Sequence, residues 1–126
     1  MPTVVILVCA ASAGIHAALA PEHFGEGFAA GAGFTLAAAA LAVIAVVLST
    51  RPGSVLGTGS AALVLAGLLA SYAMAVTTGV PAVHPEVEPV SGLALATKAI
   101  EVVGLVAAMS LLRRLDPFPQ PKGVLR

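Results

Sequence analysis

Two short segments combine histidine and glutamate at spacings that suit metal binding. The first contains His16, His23 and Glu26, and the last two are three residues apart. The second contains His84 and Glu86. Residues three apart share one face of a helix, and imidazole nitrogen suits zinc, copper, nickel and iron. These five residues therefore predict a transition-metal site, with copper or zinc as the candidate ion.

The same segments are open to a plainer interpretation, in which their side chains are solvated loop residues. Glu22 and Glu26 would then stabilise the start of a second helix, because acidic side chains are favoured at the positive end of the helix dipole. The sequence contains no HExxH or HxH pattern, which would have favoured the metal site. The sequence leaves both open.

A second candidate site follows from Lys98 and Glu101, because both charges fall inside a long apolar segment. Charged side chains at membrane depth face a bundle interior, a cavity or each other. A rise of about 1.5 Å per residue puts Glu101 near the bilayer midplane. The same estimate of depth places five polar residues in one half of the membrane: His16, Thr35, Tyr72, Lys98 and Glu101. Together they predict a pocket for a ligand or for protons. Alternatively, Lys98 and Glu101 pair within their own helix and only hold it in register.

Four long apolar runs must position these residues. They cover about 3–20, 28–48, 55–80 and 90–112, and each has the length of roughly 20 residues that a membrane-spanning helix requires. Hydrophobic residues make up 59% of the 126 residues and charged residues 10%, whereas soluble domains contain about 25% charged residues. The sequence predicts an all-α integral membrane protein, an antiparallel four-helix transmembrane bundle over residues 1–115, followed by a Pro-rich tail over residues 116–126.

The distribution of lysine and arginine predicts the orientation of the bundle. Arg51 lies in the second loop, and Arg113, Arg114, Lys122 and Arg126 lie at or beyond the end of the fourth run. The first and third loops contain neither lysine nor arginine. Since cytoplasmic loops collect these residues, both termini are predicted to be cytoplasmic in a multi-pass protein of the cell membrane. The loops with histidine and glutamate would face outside.

Composition and motifs exclude several function classes. The net charge is zero and the six basic residues form no basic face, which disfavours nucleic-acid binding. The single cysteine, Cys9, excludes an internal disulfide and any CxxC motif. No P-loop or GxSxG motif is present, and no catalytic residue is predicted.

Three functions are consistent with these features. The first is a small polytopic membrane protein that binds or handles a transition metal at its outer face. The second is an accessory or assembly subunit of a larger membrane complex, or a homo-oligomer, that has no site of its own and docks through small-residue pairs such as Gly104/Ala108. The third is a small proton-coupled carrier or channel that uses Lys98 and Glu101. Convergence of the polar side chains would favour the first function, and scatter would favour the second.

Overall fold

The computed structural model describes residues 1–115, which form an all-helical structure with four helices. Their bounds are α1 Pro2–Glu26, α2 Phe28–Thr50, α3 Val55–Thr77 and α4 Gly92–Leu115. Each helix is long and apolar enough to span a membrane. The prediction of four membrane-spanning helices from run length and hydropathy is therefore confirmed to that extent. The Pro-rich tail predicted for residues 116–126 lies outside the described residues.

Helix α1 continues through Pro21, and only Gly27 separates it from α2. Proline cannot donate a hydrogen bond to the carbonyl four residues earlier, but membrane helices tolerate this loss when neighbouring groups satisfy the backbone. Gly27 then ends α1 by donating its N–H to the carbonyl of His23 at 3.1 Å. The extra turn places Glu22 and Glu26 near the C-terminal end of α1, so neither residue caps the start of α2 as the plainer interpretation expected.

The core combines aliphatic side chains with small residues that allow close contact between helices. Val5, Leu41 and Leu65 are fully buried. Gly104 on α4 approaches Val8 on α1 so closely that a Cβ atom at position 104 would overlap the valine side chain. This mode of packing is typical of membrane helices. Large apolar side chains cover the outside of the helices, as expected for contact with lipid: Leu7, Leu36, Val43, Val46, Leu56, Leu63 and Val106.

Backbone hydrogen bonds order the connection between α3 and α4. Val80 and His84 exchange two bonds, with N–O distances of 2.7 and 2.8 Å. The N–H of Glu88 donates to the carbonyl of Ala75 in α3 at 2.8 Å. Gly79 has a φ of +75°, and a Cβ atom there would collide with the backbone of the same loop, so this position requires glycine. The loop therefore folds back over the end of α3 and fixes the positions of His84 and Glu88.

Candidate functional site

Four side chains from the end of α1 and from the α3–α4 loop form a group that we call the rim cluster: His23, Glu26, His84 and Glu88. Nδ1 of His23 lies 2.7 Å from Oε2 of Glu26. His84 lies between the two carboxylates, with Nε2 3.8 Å from Oε2 of Glu26 and Nδ1 3.9 Å from Oε1 of Glu88. His23, Glu26 and Glu88 each offer one ligand atom within 4.8 Å of the others. The fold therefore brings ligands from two distant segments of the chain into one group.

An aromatic side chain on α2 holds the ring of His23 in place. Phe34 stacks on His23 with a centroid distance of 3.7 Å and an interplanar angle of 24°. It also lies against the ring of His16, at a centroid distance of 5.2 Å. His16 and His23 are seven residues apart, or two helical turns, which places both on the same side of α1. Packing against α2 therefore limits the orientations of the His23 ring.

His84 is oriented by its own loop. Its Nδ1 atom donates a hydrogen bond to the carbonyl oxygen of Glu86 at 3.0 Å, so Nε2 is the acceptor in the neutral ring. This bond raises the pKa of His84, and the nearby carboxylates of Glu88 and Glu26 add to the increase, while desolvation opposes it. Histidine ligands of metals commonly donate their second ring nitrogen to a backbone carbonyl. The geometry of His84 therefore leaves its Nε2 suited to bind a metal.

The donors in the rim cluster suit a divalent transition metal. Imidazole nitrogen and carboxylate oxygen both bind zinc at about 2 Å, so donor atoms around one ion lie about 3–4 Å apart. Atoms within 4.8 Å of one another need to approach by about 1 Å to reach that geometry. The side chains of His23, Glu26 and Glu88 are 14%, 37% and 32% exposed, which leaves them room to move. Because sulfur is not among these donors, Zn²⁺ or Cu²⁺ fits better than Cu⁺.

A second group, which we call the buried network, joins α1 to α4 through Ser12, His16, Lys98 and Glu101. Glu101 is fully buried, and its two oxygens accept hydrogen bonds from different helices. Ser12 Oγ donates to Oε1 at 2.7 Å, and Lys98 Nζ donates to Oε2 at 2.6 Å. His16 Nδ1 donates to the Ser12 carbonyl at 2.8 Å and lies 3.3 Å from its hydroxyl oxygen. The buried charge of Glu101 is therefore compensated by a cation and by a hydroxyl group.

Tyr72 on α3 adjoins the buried network, whereas Thr35 on α2 is engaged elsewhere. Lys98 Nζ lies 5.6 Å from the centre of the Tyr72 ring, within the range of a cation–π interaction. The Tyr72 hydroxyl oxygen is buried and has no hydrogen-bond partner within residues 1–115. Thr35 is exposed, and its hydroxyl donates to the carbonyl of Gly31 on its own helix at 2.9 Å. The predicted pocket residues other than Thr35 therefore belong to or adjoin one network.

The structure divides the predicted metal ligands between the two groups. His23, Glu26 and His84 come together in the rim cluster. His16 is 5% exposed and belongs to the buried network. Glu86 is exposed and contributes its backbone carbonyl to the orientation of His84. The predicted set of five ligands thus contains three members of the rim cluster.

Two members of these groups, Ser12 and Glu88, were not among the predicted site residues, and neither was Phe34, which packs on the rings of His16 and His23. Ser12 precedes His16 by four residues. This spacing places both on one helix face, so a contact between them could have been predicted. Glu88 follows His84 by four residues, but both lie in a loop where no fixed periodicity applies. Phe34 carried no local signal, because the rings that it contacts belong to another helix.

Comparison with known proteins gives no match to any family model, to any curated protein or to any solved structure. The geometry of the rim cluster and of the buried network therefore carries the functional proposal.

Proposed function

We propose that this chain is a small multi-pass membrane protein that binds a divalent transition metal in the rim cluster and handles it at the membrane surface. His23, Glu26 and Glu88 supply ligands, and His84 adds a fourth. The single observation that supports this proposal is the convergence of three ligand atoms within 4.8 Å. Zinc fits this donor set best, because its sites take four nitrogen, oxygen or sulfur ligands in a tetrahedron.

The proposal includes an antiparallel bundle in the cell membrane with both termini in the cytoplasm. The distribution of lysine and arginine along the chain supports this orientation. The rim cluster then lies on the outer side, where it can exchange a metal with the exterior or with a partner.

Zinc titration of the detergent-purified full chain tests the proposal. We expect the wild type to bind one equivalent of Zn²⁺, measured by elemental analysis and calorimetry. The variants His23→Ala and Glu88→Gln each remove one ligand, and we expect each to lower the affinity by at least about tenfold. A wild-type protein without stoichiometric metal under zinc-replete conditions would exclude this function.

The variant Glu86→Gln is a matched control for Glu88→Gln. It makes the same substitution two residues away, at an exposed side chain of the same loop. The hydrogen bond to His84 uses the backbone carbonyl of residue 86 and survives the change. Its zinc affinity should stay close to that of the wild type, because the carboxylate of Glu86 makes only the smallest contribution to the pKa of His84. An equal loss in both variants would indicate binding by general surface charge.

The buried network favours a second candidate function, the coupling of proton movement to a carrier or channel. Ionisable residues inside membrane helices commonly serve as proton relays. The hydroxyl of Ser12 donates to the carboxylate of Glu101 at 2.7 Å and its oxygen lies 3.3 Å from Nδ1 of His16, so groups that can exchange protons are adjacent.

Proteoliposomes that contain a pH-sensitive dye test this second function. We expect proton flux through the wild type and at least about a tenfold loss in Glu101→Gln, with Glu22→Gln as an exposed control. If Glu101→Gln changes only the thermal stability, then the charge of Glu101 is structural and the carrier function is wrong.

A further inference from the structure

An apolar groove lies between the C-terminal end of α2 and the N-terminal end of α3, next to the loop that contains Arg51. It has a volume of about 330 Å³, and its apolar walls include Val43, Val47 and Leu56. A neighbouring depression of about 260 Å³ on α2 also contains Val43 and Val47. The two cavities therefore form one continuous apolar strip along the membrane-facing side of α2.

The end of this groove is cationic. Arg51 lines it and is exposed to solvent. Ser54 also lines it and caps the start of α3, because its hydroxyl oxygen accepts a hydrogen bond from the N–H of Gly57 at 2.9 Å. The positive end of the α3 dipole thus lies beside the guanidinium group. No ion pair of Arg51 occurs within the described part of the chain. Within residues 1–115 the guanidinium group of Arg51 therefore has no carboxylate partner, and it lies at one end of the apolar strip.

We propose that this groove binds an anionic phospholipid. The phosphate group lies against Arg51 and the first turn of α3, and one acyl chain follows Val43 and Val47. Charge complementarity selects this occupant, because a phospholipid carries an anionic group at the end of an apolar chain. A second copy of the protein, related by two-fold symmetry, would bring another copy of the same cationic surface to the interface.

The proposed orientation places this groove in the leaflet that contains anionic lipids. With both termini in the cytoplasm, Arg51 lies at the cytoplasmic leaflet. Anionic lipids make the surface of this leaflet negative, and basic pockets between membrane helices bind their head groups. The lipid site uses no residue of the rim cluster or of the buried network. It can therefore be present whether or not the chain binds a metal.

Native mass spectrometry of the full chain tests the proposal, with phosphatidylglycerol and phosphatidylcholine of the same acyl chains as probes. We expect the wild type to retain phosphatidylglycerol in preference to phosphatidylcholine. Arg51→Gln should lower the affinity for phosphatidylglycerol about fivefold, measured from the bound fraction over a lipid titration, since one basic residue near the surface contributes about a factor of five in affinity. Ser60→Leu places a larger side chain in the groove and should lower the occupancy by both lipids.

Two matched variants control for general effects. Arg113→Gln removes a positive charge near the end of α4, and Ser71→Leu adds the same apolar side chain to an exposed position of α3. Both should retain lipid as the wild type does. Equal binding of the two lipids by the wild type, or equal losses in Arg51→Gln and Arg113→Gln, would overturn the proposal. A dimer that Ser60→Leu dissociates would also overturn it, because a second copy would then occupy the groove. Arg51→Gln changes an exposed side chain and tests the site even if Ser60→Leu does not fold.

Discussion

The rim cluster and the buried network both contain imidazole and carboxylate groups, but in opposite physical settings. In the rim cluster the imidazole–carboxylate distances range from 2.7 to 3.9 Å, and the side chains are partly exposed. In the buried network both oxygens of Glu101 have a donor, at 2.7 and 2.6 Å, and the residue has no exposure. The carboxylates of the rim cluster can therefore rearrange around an added ion. Both oxygens of Glu101, in contrast, already accept hydrogen bonds from protein side chains.

This difference assigns the two groups different contributions to stability. An ion pair at a protein surface contributes about 0–1 kcal/mol, because water and salt screen it. Removing one partner from a buried pair costs about 3–5 kcal/mol, because the remaining charge is left without compensation. The free energy of unfolding therefore depends strongly on Glu101 and Lys98 being present as a pair. It depends little on the contacts within the rim cluster. The proposed metal binding would account for the rim cluster where stability does not.

The largest expected effect comes from breaking the buried pair. Glu101→Leu leaves the Lys98 ammonium group uncompensated and should lower the free energy of unfolding by about 3–5 kcal/mol. The double variant Lys98→Met/Glu101→Leu buries no charge at either position, so it should recover most of this loss. Reversible unfolding in mixed detergent micelles, followed by circular dichroism, measures both values.

The rim cluster supplies the matched control for this prediction. Glu26→Gln weakens the contact with His23 at a partly exposed site, and we expect a change below about 1 kcal/mol in the free energy of unfolding. A loss as large as that of Glu101→Leu would show that the two groups do not differ in the way described. Failure of the double variant to recover stability would show that packing, and not charge, dominates at Glu101.

Local sequence features predicted the helices and the pairs within a helix. Run length and hydropathy predict four spanning segments because the thickness of a bilayer sets the length of a helix that crosses it. The contact of Lys98 with Glu101, and that of His23 with Glu26, follow from a spacing of three residues on one helix. The sequence could therefore predict the class of fold and three of the four residues of each group.

Contacts between helices could not be predicted in the same way. Ser12 and Glu101 are 89 residues apart, and their hydrogen bond depends on the rotation of α1 and α4 about their axes. Small residues such as Gly104 set the approach of these helices, but the chain contains 13 glycines that look alike in sequence. Glu88 reaches the rim cluster because its backbone bonds to α3, which no periodic pattern indicates.

The smallest expected effect concerns pH and His84. Its pKa is raised in the folded protein, mainly by the bond to the Glu86 carbonyl, and Glu26 and Glu88 add to the increase. The folded chain therefore holds this proton more tightly than the unfolded chain. The resulting stabilisation of the metal-free protein is complete below the unfolded pKa and disappears as the pH rises through the folded pKa.

Zinc binding should show the opposite dependence on pH. A protonated His84 cannot bind a metal and competes for the carboxylates of Glu26 and Glu88, so zinc affinity should rise as the pH passes the folded pKa of His84. Calorimetric titrations at several pH values measure this slope. His84→Gln should bind zinc more weakly and with a shallower slope, while Glu86→Gln should retain the wild-type slope. An unchanged slope in His84→Gln would mean that other groups release the protons, and that His84 orients the loop without binding the metal.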